Sequence, residues 1–247
     1  MRVLLAPAET KRPDGDREGG CFRLEDLLFG SSREREEALE AYESFVQSAT
    51  CEALSAFFGL KRPEEIARYR GQKLLSRPTQ KALRRYSGVV FEALDYDALN
   101  ATERRWCEER IVLFSNLFGP VRGGDELPDY RFKQGAQLPG LKSDRFEKSF
   151  HGLLEPLLSG ECVLDLRAGW YIKRYPVAKS IVPVFLKNGR VLSHWAKTQR
   201  GRLVRFLAAH QPQSEADLAK LNPPGLQLQE IRQHGPHQHW IFETGQP

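Results

Sequence analysis

The 247 residues carry 37 Lys+Arg against 32 Asp+Glu, a formal net charge of +5, and 40% of them are hydrophobic, including 14 Phe. That apolar content suits a sizeable core and excludes a disordered chain, while no apolar run reaches the roughly 20 residues a membrane-crossing helix needs. The four cysteines, Cys21, Cys51, Cys107 and Cys162, stand far apart without a CxxC pair, which argues against a zinc site or a disulfide framework and for ordinary reduced thiols. Met1–Pro7 is a short strand-like start without the long apolar region of a signal peptide, so a cytoplasmic protein is expected.

In chain order, Arg2–Ala6 reads as a short apolar strand ending at Pro7, followed by a polar, glycine-rich loop over Glu9–Gly20. Ser31–Ser48 predicts an amphipathic helix, with Leu39, Tyr42, Phe45 and Val46 on its packing side and five glutamates on the wet side. Thr50–Gly71 predicts two helices around a Gly59-Leu60-Lys61 turn, the second opened by Pro63. This pattern resembles a helix-hairpin-helix over residues 50–71, in which backbone N–H groups hold a phosphate, although the usual second hairpin glycine is missing and an ordinary helical hairpin fits equally. Pro78–Tyr86 predicts a basic helix carrying Lys81, Arg84 and Arg85, before the apolar VVFEAL.

Asn100-Ala-Thr-Glu103 has the form of a capping box and starts a helix through Arg110. The apolar run Ile111–Phe118 then reads as a buried strand, followed by a loop with Arg122, Gly123, Gly124, Asp125 and Asp129–Phe132. A charged, glycine-bearing loop directly after a buried strand is where α/β folds tend to place binding groups. Asp144–Leu158 predicts one helix, Cys162–Leu166 a strand, and Ala168-Gly169 a turn carrying Trp170 and Tyr171. Two strands, Ser180–Leu186 and Arg190–Trp195, are expected around a Lys187-Asn188-Gly189 hairpin turn, the second running into a basic helix. Ser214–Leu221 predicts a short capped helix, and Leu226–Ile231 with Trp240–Glu243 a closing hairpin. Its His234, His237 and His239 lack a neighbouring cysteine or carboxylate cluster, so no metal is expected.

Charge is distributed unevenly along this order. Between Asp165 and Glu215 there is no acid, yet Arg167, Lys173, Arg174, Lys179, Lys187, Arg190, Lys197, Arg200, Arg202 and Arg205 supply ten positive charges. Concentrating the basic charge in one block is the pattern of an anion-binding surface. On a helical projection Arg200 falls inside the apolar stripe of Leu203, Val204 and Leu207, whereas Arg202 and Arg205 project to the solvent side. A guanidinium on a packed face needs either a structural partner or a bound anion; the expected partner is an acidic or tyrosyl side chain of the Arg122–Arg131 loop, with Asp125 and Asp129 the nearest candidates and Lys197 beside it. Gly201, unfavourable in mid-helix, indicates that something approaches the backbone closely; tight helix packing is the plain alternative.

The blocks VLLAPAET, SNLFGPVRGGDELPDYRFKQG, VLDLRAGWY, VPVFL and HWAKTQRGRLVRF, in this order over nearly the full chain, resemble the YaaA family of bacterial peroxide-stress proteins. Where that family reads SPAKT and AKKARG, Glu9 stands in place of a lysine here, with Lys11 a substitute for it, and Thr198 and Gln199 replace Lys and Ala. The positions matching the family pattern are Arg122, Asp125, Tyr130, Arg131, Gly135, Tyr171, Lys197, Arg200 and Gly201, with Gly59 a weaker match. The resemblance implies a single compact α+β domain over residues 1–247, with a mixed sheet, flanking helices, a helix-hairpin-helix-like element and a positively charged cleft. It also implies DNA binding in the cytoplasm and a part in limiting oxidative damage.

Two function classes follow. In the first, the protein binds the DNA backbone without sequence specificity through Gly59, Lys61, Arg62, Lys173, Arg174, Lys197, Arg200, Arg202 and Arg205. In the second, an enzyme acts on a nucleic acid, nucleotide or other anion in a pocket built by Asp125, Arg131, Tyr171, Lys197 and Arg200, with Asp125 or Asp165 as base or metal ligand. Convergence of those five side chains would favour the enzyme, and their dispersal along a groove the binding protein. No cofactor, membrane or second subunit is expected in either case.

Overall fold

In chain order the apolar strand β1 (Arg2–Leu5) comes first, and the amphipathic α1 (Arg33–Ser48) follows, capped by the Ser32 hydroxyl, which accepts from the Arg35 amide. These elements belong to a computed structural model that describes residues 1–13, 15 and 22–244; the greater part of the predicted glycine-rich loop and Cys21 lie outside the described residues. The predicted helix pair is formed by α2 (Cys51–Phe58) and α3 (Pro63–Ala67), joined through Gly59 at φ 65°. Next come β2 (Thr79–Lys81), α4 (Ala82–Arg85) and α5 (Val89–Leu94). The predicted capping box is present on α6 (Ala101–Arg110): Asn100 accepts from the Glu103 amide while Glu103 accepts from the Asn100 amide.

The fully buried β3 (Ile111–Ser115) then pairs with β4 (Gly119–Arg122), and β5 (Glu126–Pro128) pairs with β2 in a separate small ribbon. After α7 (Ser143–Lys148) and α8 (His151–Leu158) come β6 (Val163–Asp165), α9 (Gly169–Arg174) and β7 (Ser180–Leu186). The long basic α10 (Ser193–His210) and the short α11 (Glu215–Lys220) precede the closing hairpin of β8 (Gln227–His234) and β9 (His237–Glu243).

One seven-stranded sheet in the order β4-β3-β1-β6-β7-β9-β8 organises a single compact α+β domain. Its five central strands are parallel, and β4 and β8 run antiparallel at the edges. β1 and β3 are short apolar runs rather than alternating ones and β6 is likewise buried at every position, as expected of central parallel strands covered on both faces. From β1 the chain goes first to β3 on one side and later to β6 on the other, so a crevice opens at the carboxyl ends of β1 and β6, where parallel sheets hold their binding groups.

Four sequence expectations fail for identifiable reasons. The Lys187-Asn188-Gly189 turn forms, with Asn188 and Gly189 both at positive φ, but Arg190–Trp195 is not a strand, because β7 already has β6 on one edge and β9 on the other. The chain therefore turns directly into α10, leaving Val191 and Leu192 exposed. Pro78–Tyr86 is not a basic helix; β2 captures its first half, and Arg85 is completely buried. Asp144–Leu158 breaks at Ser149–Phe150 into α7 and α8, where Phe150 is drawn into the core between Phe29 and Phe146. Trp170 and Tyr171 stand on helix α9 rather than in a turn.

Gly201 is accounted for by helix packing. A Cβ there would lie 2.1 Å from the Val90 carbonyl oxygen and 2.8 Å from the Ala93 Cβ, so the close approach is that of α5 itself. α10 lies along α5 on this face, an interhelical contact that only glycine permits.

Candidate functional site at the carboxyl end of the sheet

Leaving β1, the chain passes through Pro7 and Glu9 and turns Lys11 inward. Its ammonium nitrogen stands 4.0 Å from the centre of the Tyr130 ring and 5.0 Å from that of Tyr86, with only long contacts of 3.4 Å to the Ala8 and Glu9 carbonyls. Burial, opposed by the Asp129 carboxylate and reinforced by Arg131 and Arg85, lowers its pKa to about 7. A lysine able to lose its proton near neutrality is a possible proton acceptor or nucleophile, not a fixed anion clamp.

A hydroxyl chain runs beside it. Ser115, at the carboxyl end of β3, accepts from the Leu117 and Phe118 amides, so its own proton is left for Tyr130 at 2.6 Å. The Tyr130 and Tyr86 hydroxyls are hydrogen-bonded to each other at 2.8 Å. Both phenols are buried and their pKa values are raised by desolvation. Asp129 completes the cluster: Arg68 donates to its Oδ2, while its buried Oδ1 has no hydrogen-bond partner, and burial raises its pKa despite the arginine.

The other buried cations nearby are structural. Arg35 is fully buried in α1 and donates to four carbonyls, those of Leu28, Gly30, Phe118 and Pro120, tying the loop before α1 to the turn between β3 and β4. Arg85 donates to the carbonyls of Leu127, Arg12 and Pro78. Arg167 forms a two-pronged pair with Asp165 at 2.8 and 2.7 Å and lies over the Phe114 ring. Composition does not distinguish these arginines from solvated ones, since only the register of α1 and the β2–β5 ribbon turns them inward.

The five residues nominated as an enzyme pocket are held by separate partners. Asp125 accepts from the Leu28 and Arg122 amides and has its pKa raised by burial. Arg131 donates to the Phe58 carbonyl and pairs with Glu9 at 3.3 Å, and Glu9 also accepts from the Gln134 amide. The reversed charge at position 9 thus neutralises Arg131, and Lys11 is buried rather than on the surface. Tyr171 donates to Asn116. Lys197 is exposed on α10.

Arg200 is more than half buried, as its place in the apolar stripe predicts, but it is not bonded to the Arg122–Arg131 loop. Its Nε is closed off from solvent without a hydrogen-bond partner; burial lowers its pKa, and Asp165, already engaged by Arg167, is the carboxylate that partly offsets this. Asp125 is held by backbone amides and the Oδ2 of Asp129 by Arg68, and neither carboxylate is bonded to Arg200.

Within the acid-free segment, acids from elsewhere in the chain reach four of the ten cations. Arg167 pairs with Asp165, Arg174 with Glu147, Lys179 with Glu215 and Arg205 with Asp95. Arg205, predicted to be a solvated charge, also donates to the Leu94 and Asp95 carbonyls and so caps α5. Among the described residues Lys173, Lys187, Arg190, Lys197, Arg200 and Arg202 have no acidic partner, and all but Arg200 are exposed.

The 50–71 hairpin presents a different charge. Gly59 closes α2, with the Leu60 amide donating to the Ser55 carbonyl at 3.1 Å, and a Cβ there would press on the Lys133 side chain. Proline at the first position of α3 removes one amide, and Glu64 and Glu65 occupy its first turn with Arg62 paired to both. The helix pair exists, but an anion at its turn would meet two carboxylates.

A polar pocket of about 130 Å³ opens next to this region, between Asn116, Gly135, Glu147, Trp170 and Arg174. Arg174 lies over the Trp170 ring at 4.1 Å and donates to both Glu147 oxygens, so these two charges are already paired with each other. No group of three His, Cys, Asp or Glu residues able to hold a metal occurs among the described residues. His237 is paired with the Ser180 hydroxyl, while His234 and His239 stack at 4.3 Å. Burial raises the pKa of the Cys107 thiol to about 12 and also raises that of Cys162, which keeps both thiols protonated. No helix among the described residues is long and apolar enough to cross a membrane.

Comparison with known proteins finds relatives that align with nearly the full chain. An uncharacterised protein of Campylobacter jejuni is 36% identical over 248 residues, covering 98% of this chain and 99% of the relative. UPF0246 proteins of Corynebacterium efficiens and Streptomyces coelicolor are 32% and 30% identical, over 84% and 89% of this chain and 85% and 88% of theirs. The profile described as "Peroxide stress protein YaaA" matches residues 1–232, and the chain belongs to that family.

Proposed function

We propose that this protein acts in the peroxide stress response by binding the DNA backbone, without reading sequence, through the face that follows the carboxyl ends of β6 and β7. The observation carrying this reading is the set of six cations, Lys173, Lys187, Arg190, Lys197, Arg200 and Arg202, without an acidic partner among the described residues, beside four others in the same segment that have one. A surface selected only for solubility would intersperse both signs, whereas unpaired cations in one block neutralise phosphates and release condensed counterions. Lys61 adds an exposed cation at the 50–71 hairpin, and Arg62, held by Glu64 and Glu65, is the weaker contributor.

The test is fluorescence anisotropy on duplex, single-stranded and branched DNA at several salt concentrations. With four to six phosphates neutralised, the logarithm of the binding constant should fall with the logarithm of salt at a slope of roughly −4 to −5 on duplex. A flat response overturns the reading.

A second reading, proton transfer on an anionic substrate, is favoured by Lys11, whose pKa of about 7 lies beside the unpartnered Asp129 Oδ1 at the sheet's carboxyl end. Lys11→Met separates the two. It leaves DNA affinity unchanged in both, and it abolishes turnover of any substrate only in the second.

A further inference from the structure

The edge strand β8 is almost wholly exposed, with Ile231 48% accessible, although its partner β9 buries Trp240, Ile241 and Phe242. An uncovered edge of this length is usually blunted by proline, by extreme shortness or by like charges. Here there is a bulge between Leu228 and Glu230, and the exposed charges on the strand, Glu230 and Arg232, are of opposite sign and so complementary to a second copy; the segment after the bulge is regular. That segment, with the residue before it, reads Gln229-Glu230-Ile231-Arg232-Gln233, which is the same in size read in either direction and complementary in charge about Ile231.

Hairpin geometry fixes which backbone groups are free. The loop between β8 and β9 has two residues, Gly235 and Pro236, so His234 and His237 close it as a hydrogen-bonded pair. By alternation Arg232–His239 and Glu230–Ile241 are also bonded pairs, while Ile231 and Gln233 turn their N–H and C=O groups away from β9. We infer that a second copy of this chain pairs with that edge, β8 against β8 antiparallel, on a twofold axis through Ile231. Each Ile231 then exchanges both backbone bonds with its counterpart, and Gln233 meets Gln229 of the second copy. Glu230 stands directly opposite Arg232 of the second copy in the closely spaced, non-bonded positions. Within one chain Glu230 and Arg232 already share a face, with an ion pair at 2.7 Å. The twofold axis therefore joins two such pairs into a four-charge cluster in which every neighbour is of opposite sign. A parallel alignment in register would instead set Glu230 against Glu230 and Arg232 against Arg232.

A five-residue contact buries less than the roughly 1,200–2,000 Å² of a stable complex, so the dimer is a weak one, forming in the micromolar range or above. This departs from the monomer expected from sequence, and it does not depend on the DNA-binding reading.

Sedimentation velocity of the full chain from micromolar to millimolar concentration tests it. The wild type is expected to shift from monomer towards dimer as concentration rises. Ile231→Pro removes an N–H that β9 does not use, so it should stay monomeric with an unchanged thermal melt. Glu230→Arg and Arg232→Glu should each weaken association about tenfold by creating two like-charge contacts, and the double exchange should restore it. A wild type that stays monomeric throughout overturns the inference. So does association that survives Ile231→Pro, or a double exchange that fails to rescue either single variant.

Discussion

The two cationic regions of this molecule, the cluster around Lys11 behind the ends of β1 and β3 and the face of α10, have similar residue types and opposite physics. Around Lys11, every arginine is committed: Arg35 and Arg85 to backbone carbonyls, Arg131 to Glu9 and Phe58, Arg68 to Asp129. On α10 the exposed Lys197 and Arg202 have no acidic partner among the described residues. Buried cations hold loops in place and are costly to disturb, whereas exposed ones contribute little to stability and are free to meet a phosphate. Basic charge in this family member thus stands in two settings, and burial rather than residue type separates them.

The sharpest way to break the comparison is Arg35→Ala. It removes the Arg35 hydrogen bonds from four carbonyls, three of them in buried contacts, and we expect a loss of about 3–5 kcal/mol in denaturant unfolding, with DNA affinity of the folded protein unchanged. A loss below about 1 kcal/mol would place Arg35 with the surface cations.

Lys11 sharpens it through pH. Its pKa is lowered from 10.5 to about 7 by burial, so between those values the unfolded chain binds more protons than the native one, and stability rises with pH. Below about 7 both states are protonated and the contribution is constant. Lys11→Met should therefore flatten the dependence of unfolding free energy on pH between about 7 and 10, by up to a few kcal/mol. An unchanged slope would show that Lys11 is protonated throughout in the native state.

On the other side, Lys197→Glu with Arg202→Glu should weaken duplex binding by about 1–3 kcal/mol, lower the salt slope by about two, and leave the melting temperature within a degree or two. The smallest effect is expected at the hairpin: Arg62→Ala, removing a cation already shared by two glutamates, should change DNA affinity and stability by no more than about 0.5 kcal/mol. A large loss of affinity there would return the phosphate contact to the 50–71 turn.

Much of the framework was legible from local chemistry. The Asn100–Glu103 and Ser214–Asp217 capping boxes, the Gly59 helix end, the apolar β1 and β3 runs and the span of β7 depend on interactions within a few residues, and each forms as its residues dictate. The half-burial of Arg200 was also readable, because a helix in water must turn its apolar stripe inward and carries with it whatever shares that stripe.

Partner choice was not legible. That Asp95 pairs with Arg205, that Glu9 neutralises Arg131, and that Asp129 serves Arg68 instead of Arg200 are contacts between residues up to 122 positions apart. The strand expected at Arg190–Trp195 failed for the same reason: its own residues permit it, but β6 and β9 had taken both edges of β7. Sequence by itself determined α1, α6 and α11, the apolar strands β1 and β3 and the concentration of positive charge in one segment, because capping, periodicity and charge count are local properties. The tertiary structure alone decided which cations are paired, which strand edge is left open and where Lys11 is buried, because those depend on desolvation and on competition for partners across the sheet.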